Sequence, residues 1–124
     1  MKLVIDGRLP GLNEIIKEAK KGRGGYQPYA IMKREYTDEI AWLAKKMPKY
    51  HGQVEINITW YEKNYKRDID NVAAGGTKLI LDGLVLAGVL KDDSQKFVKS
   101  INHYFKVDKN NPRIEVKVKK IESE

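Results

Sequence analysis

Four aspartates frame the most apolar stretch of the chain, Asp68 and Asp70 before it and Asp92 and Asp93 after it, in "YKRDIDNVAAGGTKLILDGLVLAGVLKDDSQK" (Tyr65–Lys96). Close carboxylates repel one another, by up to about 4 kcal/mol a pair at the effective dielectric near a protein surface. Such a grouping asks for a cation. If the strand ahead of them runs on through Asp68 and Asp70, their side chains share one face, because residues two apart in a strand do. Asp92 and Asp93 lie where the chain turns back toward the sheet, so one of them can return to the same place. Three carboxylate oxygens completed by water suit Mg²⁺ or Mn²⁺ and suit zinc or copper poorly. Phosphodiester hydrolysis uses such an ion to activate water and to neutralise charge on the phosphate and the leaving oxygen.

The same residues have plainer uses. Asp70-Asn71 would serve as a helix N-cap, and "LKDDSQ" is rich in good turn formers. Lys78 and Asp82, four apart, form an ordinary ion pair on a helix, unless Lys78 acts as a point charge on the scissile phosphate. His51 and His103 are far apart, have no Ser or Cys motif beside them, and read as solvated or core-edge residues. Trp42 and Trp60 both read as core. Of the seven tyrosines, Tyr26 and Tyr29 beside a basic loop are best placed to stack on bases.

Charge distribution fits a polyanionic partner. The formal charge is +7, and residues 1–50 hold 11 Lys/Arg against 6 Asp/Glu, whereas residues 51–124 hold 13 against 11. A nucleic acid drawn to the basic first half would meet the carboxylates of the second. Cysteine is absent, which removes thiolate nucleophiles, disulfides and Cys-rich zinc sites. Any metal is then held by oxygen or by the two histidines. The longest apolar stretch, Leu79–Leu90, is interrupted by Asp82, Gly83 and Gly88, too short and too broken to span a bilayer. "MKLVIDGRLP" lacks the sustained apolar core of a signal peptide. We expect a cytoplasmic protein with no membrane partner and no small-molecule cofactor.

The elements that must position these residues follow from periodicity. "KLVIDG" reads as a short strand ending at Gly7, then a turn at Leu9-Pro10-Gly11 and a short helix from Asn13 to about Lys20. "KKGRGGYQP" is a basic, Gly-rich loop. Apolar residues from Tyr29 to Met47 fall roughly at helical spacing up to Pro48. "QVEINITWYEK" alternates as a strand with one buried face. "TKLILDGLVLAGVL" is a helix apolar on most sides, and "KFVKSINHYFKV" and "RIEVKVKKI" are strands joined by a turn at Asp108–Pro112. The order β, α, α, β, α, β, β predicts one domain over residues 1–124 in the α/β (α+β) class, a mixed four-stranded sheet packed with helices.

The segments "RDIDN" (Arg67–Asn71), "KLILDGL" (Lys78–Leu84) and "AGVLKDDSQ" (Ala87–Gln95) resemble the RusA-type Holliday junction resolvases of bacteria and their prophages. The likeness is specific over about Lys63–Lys99 and looser toward both ends, where it includes Leu9-Pro10 and Asn13. It implies a RusA-like fold and a homodimeric, Mg²⁺-dependent endodeoxyribonuclease that nicks four-way DNA junctions symmetrically in recombination and repair. It implies that Asp68, Asp70 and Asp93 hold metal, that Lys78 completes the catalytic set, and that Arg67 contacts phosphate. With Lys66 beside Arg67, and with Lys20, Lys21 and Arg23 from the basic loop, these make the expected DNA-binding set. In the family the lysine follows the second aspartate by about four residues, roughly one helical turn; here Lys78 follows Asp70 by eight. Because the family spacing from Lys78 to Asp93 is kept, we place an insertion before the helix. A nuclease for flaps or forks, or a non-catalytic DNA-binding accessory protein whose acidic pairs are only caps and turns, would carry much of the same pattern.

Overall fold

The computed structural model describes residues 2–121, in the order β1 (Lys2–Asp6), α1 (Leu12–Lys20), α2 (Pro28–Ala44), β2 (Val54–Glu62), α3 (Ile69–Leu86), β3 (Val98–Val107) and β4 (Arg113–Lys120). The strands form one mixed sheet ordered β1-β4-β2-β3. β2 and β3 run parallel, and β4 is antiparallel to both β1 and β2. Parallel neighbours need a long crossover, and α3 is that crossover. The two C-terminal strands are therefore not a hairpin: their connection passes the end of β2, where the Asp108 N–H donates to the Glu62 carbonyl at 2.8 Å. No helix among the described residues is long and apolar enough to cross a membrane.

Alternation decides which face of the sheet is covered. Val54, Ile56, Ile58 and Trp60 of β2 join Ile114, Val116 and Val118 of β4, and Leu3 and Ile5 of β1, in a buried layer under the helices. α3 adds Val72, Leu79, Ile80 and Leu84 to it. Two adjacent glycines let α3 come close: a Cβ at Gly75 would collide with the backbone of Pro10 to Leu12, and one at Gly76 with the Trp60 ring.

Three expectations need correction. The strand ends at Glu62, so Asp68 and Asp70 do not alternate along it. Helix α3 begins at Ile69, well before Lys78, so the segment between Asp70 and Lys78 is part of the helix and not an insertion ahead of it. At about 3.6 residues per turn, the eight residues from Asp70 to Lys78 make a little over two turns, so Ala74 and Lys78 follow Asp70 along one i, i+4 row of the helix. Trp42 is 67% exposed, with the Lys45 ammonium 3.3 Å above its ring. The stripe that α2 buries is Ile40 and Ala44, continued past the helix end by Met47, and Trp42 projects about 200° around the helix from Ile40, away from that stripe.

His103 of β3 has a specific place at the core edge. The Trp60 indole Nε1–H donates to His103 Nδ1 at 3.0 Å, and the two rings stack with centroids 6.0 Å apart. Burial holds the imidazole below its ordinary pKa, and protonation would replace the accepting lone pair at Nδ1 with an N–H. The unfolded chain binds this proton more readily, so the contribution to stability is complete above about pH 6.5 and is lost as the pH falls through the lowered value. Chemical denaturation at pH 7.5 and pH 5.5 is expected to show a larger acid loss for the parent chain than for His103→Phe. Equal losses would place the titration elsewhere.

Candidate active site

Asp68 occupies the N-cap position of α3 with extended backbone (φ −69°, ψ 140°), and its carbonyl accepts the Val72 N–H at 3.1 Å. Its carboxylate makes no capping hydrogen bond. Asp70 sits in the first helical turn, one oxygen accepting the Asn71 N–H at 2.9 Å. Both aspartates are exposed. The partial positive charge of the helix N-terminus favours two carboxylates here. Asn71 is a strut: its Oδ1 accepts the Asn13 N–H at 2.9 Å, tying the start of α1 to the start of α3.

Two turns further along the stripe is Lys78, about 12 Å from Asp70 at about 1.5 Å of rise per residue. Its ammonium lies 2.8 Å from Asp93 Oδ2 and 3.1 Å from Asp82 Oδ1. Lys33 of α2 approaches the other oxygen of Asp82 at 3.3 Å. The hydrogen bond from Lys78 holds the Asp93 carboxyl below its usual range, and Asp93 and then Asp82 raise the lysine in return. Both groups are thus charged at neutral pH. The neighbouring Asp92 accepts the Asp93 N–H at 2.8 Å, which fixes the turn and aims Asp93 toward the helix. Together they line an open depression of about 440 Å³.

Thus Lys78 and Asp93 are brought together by their ion pair, whereas Asp68 and Asp70 stand at the N-terminus of α3, as its N-cap and in its first turn, about two turns before Lys78. No cluster of three or more metal-capable side chains occurs among the described residues. The expected trio of Asp68, Asp70 and Asp93 is not assembled within one chain, because a helix separates what a continued strand and turn would have left adjacent.

Arg67 is only 17% exposed as a side chain. Its guanidinium donates to both Glu62 oxygens at 2.6 and 2.9 Å and to the Leu9 carbonyl at 3.0 Å, so it braces the β2–α3 connection. A guanidinium has five donors, and three are engaged in this bracing. Lys66 is exposed beside it. Lys20 and Lys21 end α1, with Lys21 paired to Glu18 at 2.7 Å, and Arg23 forms a short backbone bridge with Tyr26. Sequence reasoning missed Glu62, Asn71 and Lys33 as positioning groups, since each acts across a distance no local period records. Only the "RDIDN" spacing pointed near Asn71.

The family model described as "Endodeoxyribonuclease RusA" matches residues 12–119, from the start of α1 to the penultimate residue of β4. No curated protein matches the chain.

Proposed function

Because the chain belongs to the RusA endodeoxyribonuclease family, Holliday junction resolvases, we propose that it cuts four-way junctions by paired Mg²⁺-dependent nicks, each active site being built from two copies. The observation that carries the two-copy reading is the placement of Asp68 and Asp70 at the N-terminus of α3, and of Lys78 with its ion-pair partner Asp93 about two turns further along the helix. Asp70, Ala74 and Lys78 are all exposed along it. Two α3 helices crossing antiparallel at Ala74 would set residue 70 of one copy against residue 78 of the other. The small side chain permits the 8–10 Å approach of packed helices. A two-fold axis repeats the arrangement, giving two sites per homodimer.

The donor set fits a hard cation. Asp68, Asp70 and Asp93 offer only carboxylate oxygens, all on partly or fully exposed side chains, which matches Mg²⁺, with Mn²⁺ able to substitute. When bound, the ion supplies an activated water and charge neutralisation at the phosphate. Asp68 and Asp70 of one copy and Asp93 of the other would hold it. Lys78, freed from Asp93, polarises the scissile phosphate. Arg67 keeps the Asp68 backbone in place through Glu62 and Leu9, with the Glu14 carboxylate 3.6 Å from its guanidinium as well, and a phosphate would have to meet what is left of its surface. Lys66, Lys20, Lys21 and Arg23 position the backbone of the branched DNA.

A supercoiled plasmid bearing a cruciform tests this reading, since the cruciform is lost after one nick. Direct conversion to linear product with Mg²⁺, and none in EDTA, is expected; nicked circles alone would remove the paired action. A non-catalytic accessory protein would bind the junction and leave it whole. The uncapped carboxylate of Asp68 speaks against that alternative.

Replacing Lys20, Lys21 and Arg23 together is expected to weaken binding to all sequences alike. It should also flatten the salt dependence, each phosphate contact contributing about 0.9 to the slope of log affinity against log salt on duplex. Titrations at four salt concentrations measure this, and an unchanged slope would take the loop out of the interface.

A further inference from the structure

The connection between β2 and α3 is a braced turn with an aromatic tip. Arg67 closes it from one side by its two bonds to Glu62, the last residue of β2, and anchors it to Leu9. Inside it, Asn64 Oδ1 accepts the Lys66 N–H at 2.9 Å, a side-chain-stabilised turn. What this fixed backbone presents is Tyr65, whose residue surface is 90% exposed. Lys63 and Lys66 stand exposed on either side of it. The turn lies between two hollows. One, of about 500 Å³, is lined by Arg8, Lys63, Asn64 and Lys66; the other, of about 170 Å³, has an apolar wall of Ile69, Phe105 and Val107. Asp68 follows within three residues.

Every feature of this turn suits a nucleic-acid base and its flanking phosphates. An aromatic ring stacks on any base, and cations beside it meet the backbone. A tip held by side-chain braces loses little freedom on binding. Four-way junctions offer bases at the strand-exchange point that can leave their stack without disrupting a long duplex. We propose that Tyr65 stacks on a base unstacked at the strand-exchange point, with Lys63 and Lys66 on the adjoining phosphates, so that the scissile bond is delivered to the neighbouring carboxylates. This rests on the junction-cutting reading above and adds a residue that recognises the branch itself.

The test compares affinities in EDTA, where the DNA stays whole, for a four-way junction and for linear duplex of the same sequence. Tyr65→Ala is expected to lose roughly five- to a hundredfold in junction affinity, the range one base–aromatic stack supplies, with duplex affinity unchanged. Tyr65→Phe restores the parent value and Tyr65→Leu does not. Tyr104→Ala, which removes a tyrosine 52% exposed on β3, leaves both affinities as they were. Parent-like junction affinity in Tyr65→Ala, with the parent still preferring junction over duplex, would overturn the stacking role and leave the resolvase reading standing. A parent that neither prefers junctions nor cuts them with Mg²⁺ would overturn both.

Discussion

Asp70→Asn is expected to bind a four-way junction at least as tightly as the parent chain while its cleavage falls to background. The substitution is nearly isosteric at an exposed position, and the amide oxygen can still accept the Asn71 N–H that Asp70 accepts at 2.9 Å. The helix start is therefore kept. What is lost is one formal negative charge and one anionic oxygen ligand. Less negative charge near phosphate favours binding, whereas an amide is a poorer ligand for a hard cation. A catalytic ion supplies several kcal/mol of transition-state stabilisation, and about 1.4 kcal/mol corresponds to tenfold in rate. A drop of at least about a hundredfold follows. Gel-shift titration in EDTA and cruciform cleavage in Mg²⁺ measure the two effects separately, and cleavage near the parental rate would remove Asp70 from the metal set.

The sequence disclosed the chemistry of the site more readily than its assembly. Alternation in "QVEINITWYEK" identifies β2 and its buried face, including Trp60, because a half-buried strand imposes a period of two on every residue. The order of elements was legible for the same reason. Strand adjacency was not: β4 inserts between β1 and β2, and no local pattern encodes which strand a C-terminal segment will join. Trp42 misled because its neighbours Leu43 and Ala44 are apolar, while a helix buries one stripe and not a run. The start of α3 was hidden by "VAAGGT", whose two glycines argue against a helix interior on propensity. Their use is close packing against Trp60 and the backbone near Gly11, a tertiary demand that overrides propensity. Once the helix is extended to Ile69, Asp70 and Lys78 fall on one stripe and about 12 Å apart. The four aspartates then look like two half-sites.

Mixing Asp70→Asn with Asp93→Asn is expected to restore cleavage that neither variant has alone. Suppose each site draws Asp68 and Asp70 from one copy and Asp93 with Lys78 from the other. In a heterodimer of the two variants, one site then carries both substitutions and the other carries none. If each site instead drew all its ligands from a single chain, every site in the mixture would hold one substitution and nothing would be regained. With random exchange, half of the dimers are heterodimers with one intact site in two, so about a quarter of the parental sites return. The product is also distinctive: a heterodimer with one working site makes nicked circles from a cruciform plasmid, whereas the parent makes linear DNA. Co-refolding the two variants at equal concentration, with each refolded alone as control, gives the measurement. No nicking above the controls, in a mixture shown by sedimentation to contain dimers, would mean that the two ends of the α3 stripe do not meet across a two-fold axis. Asp93 would then serve Lys78 and the fold, and Asp68 and Asp70 would need a third ligand from elsewhere.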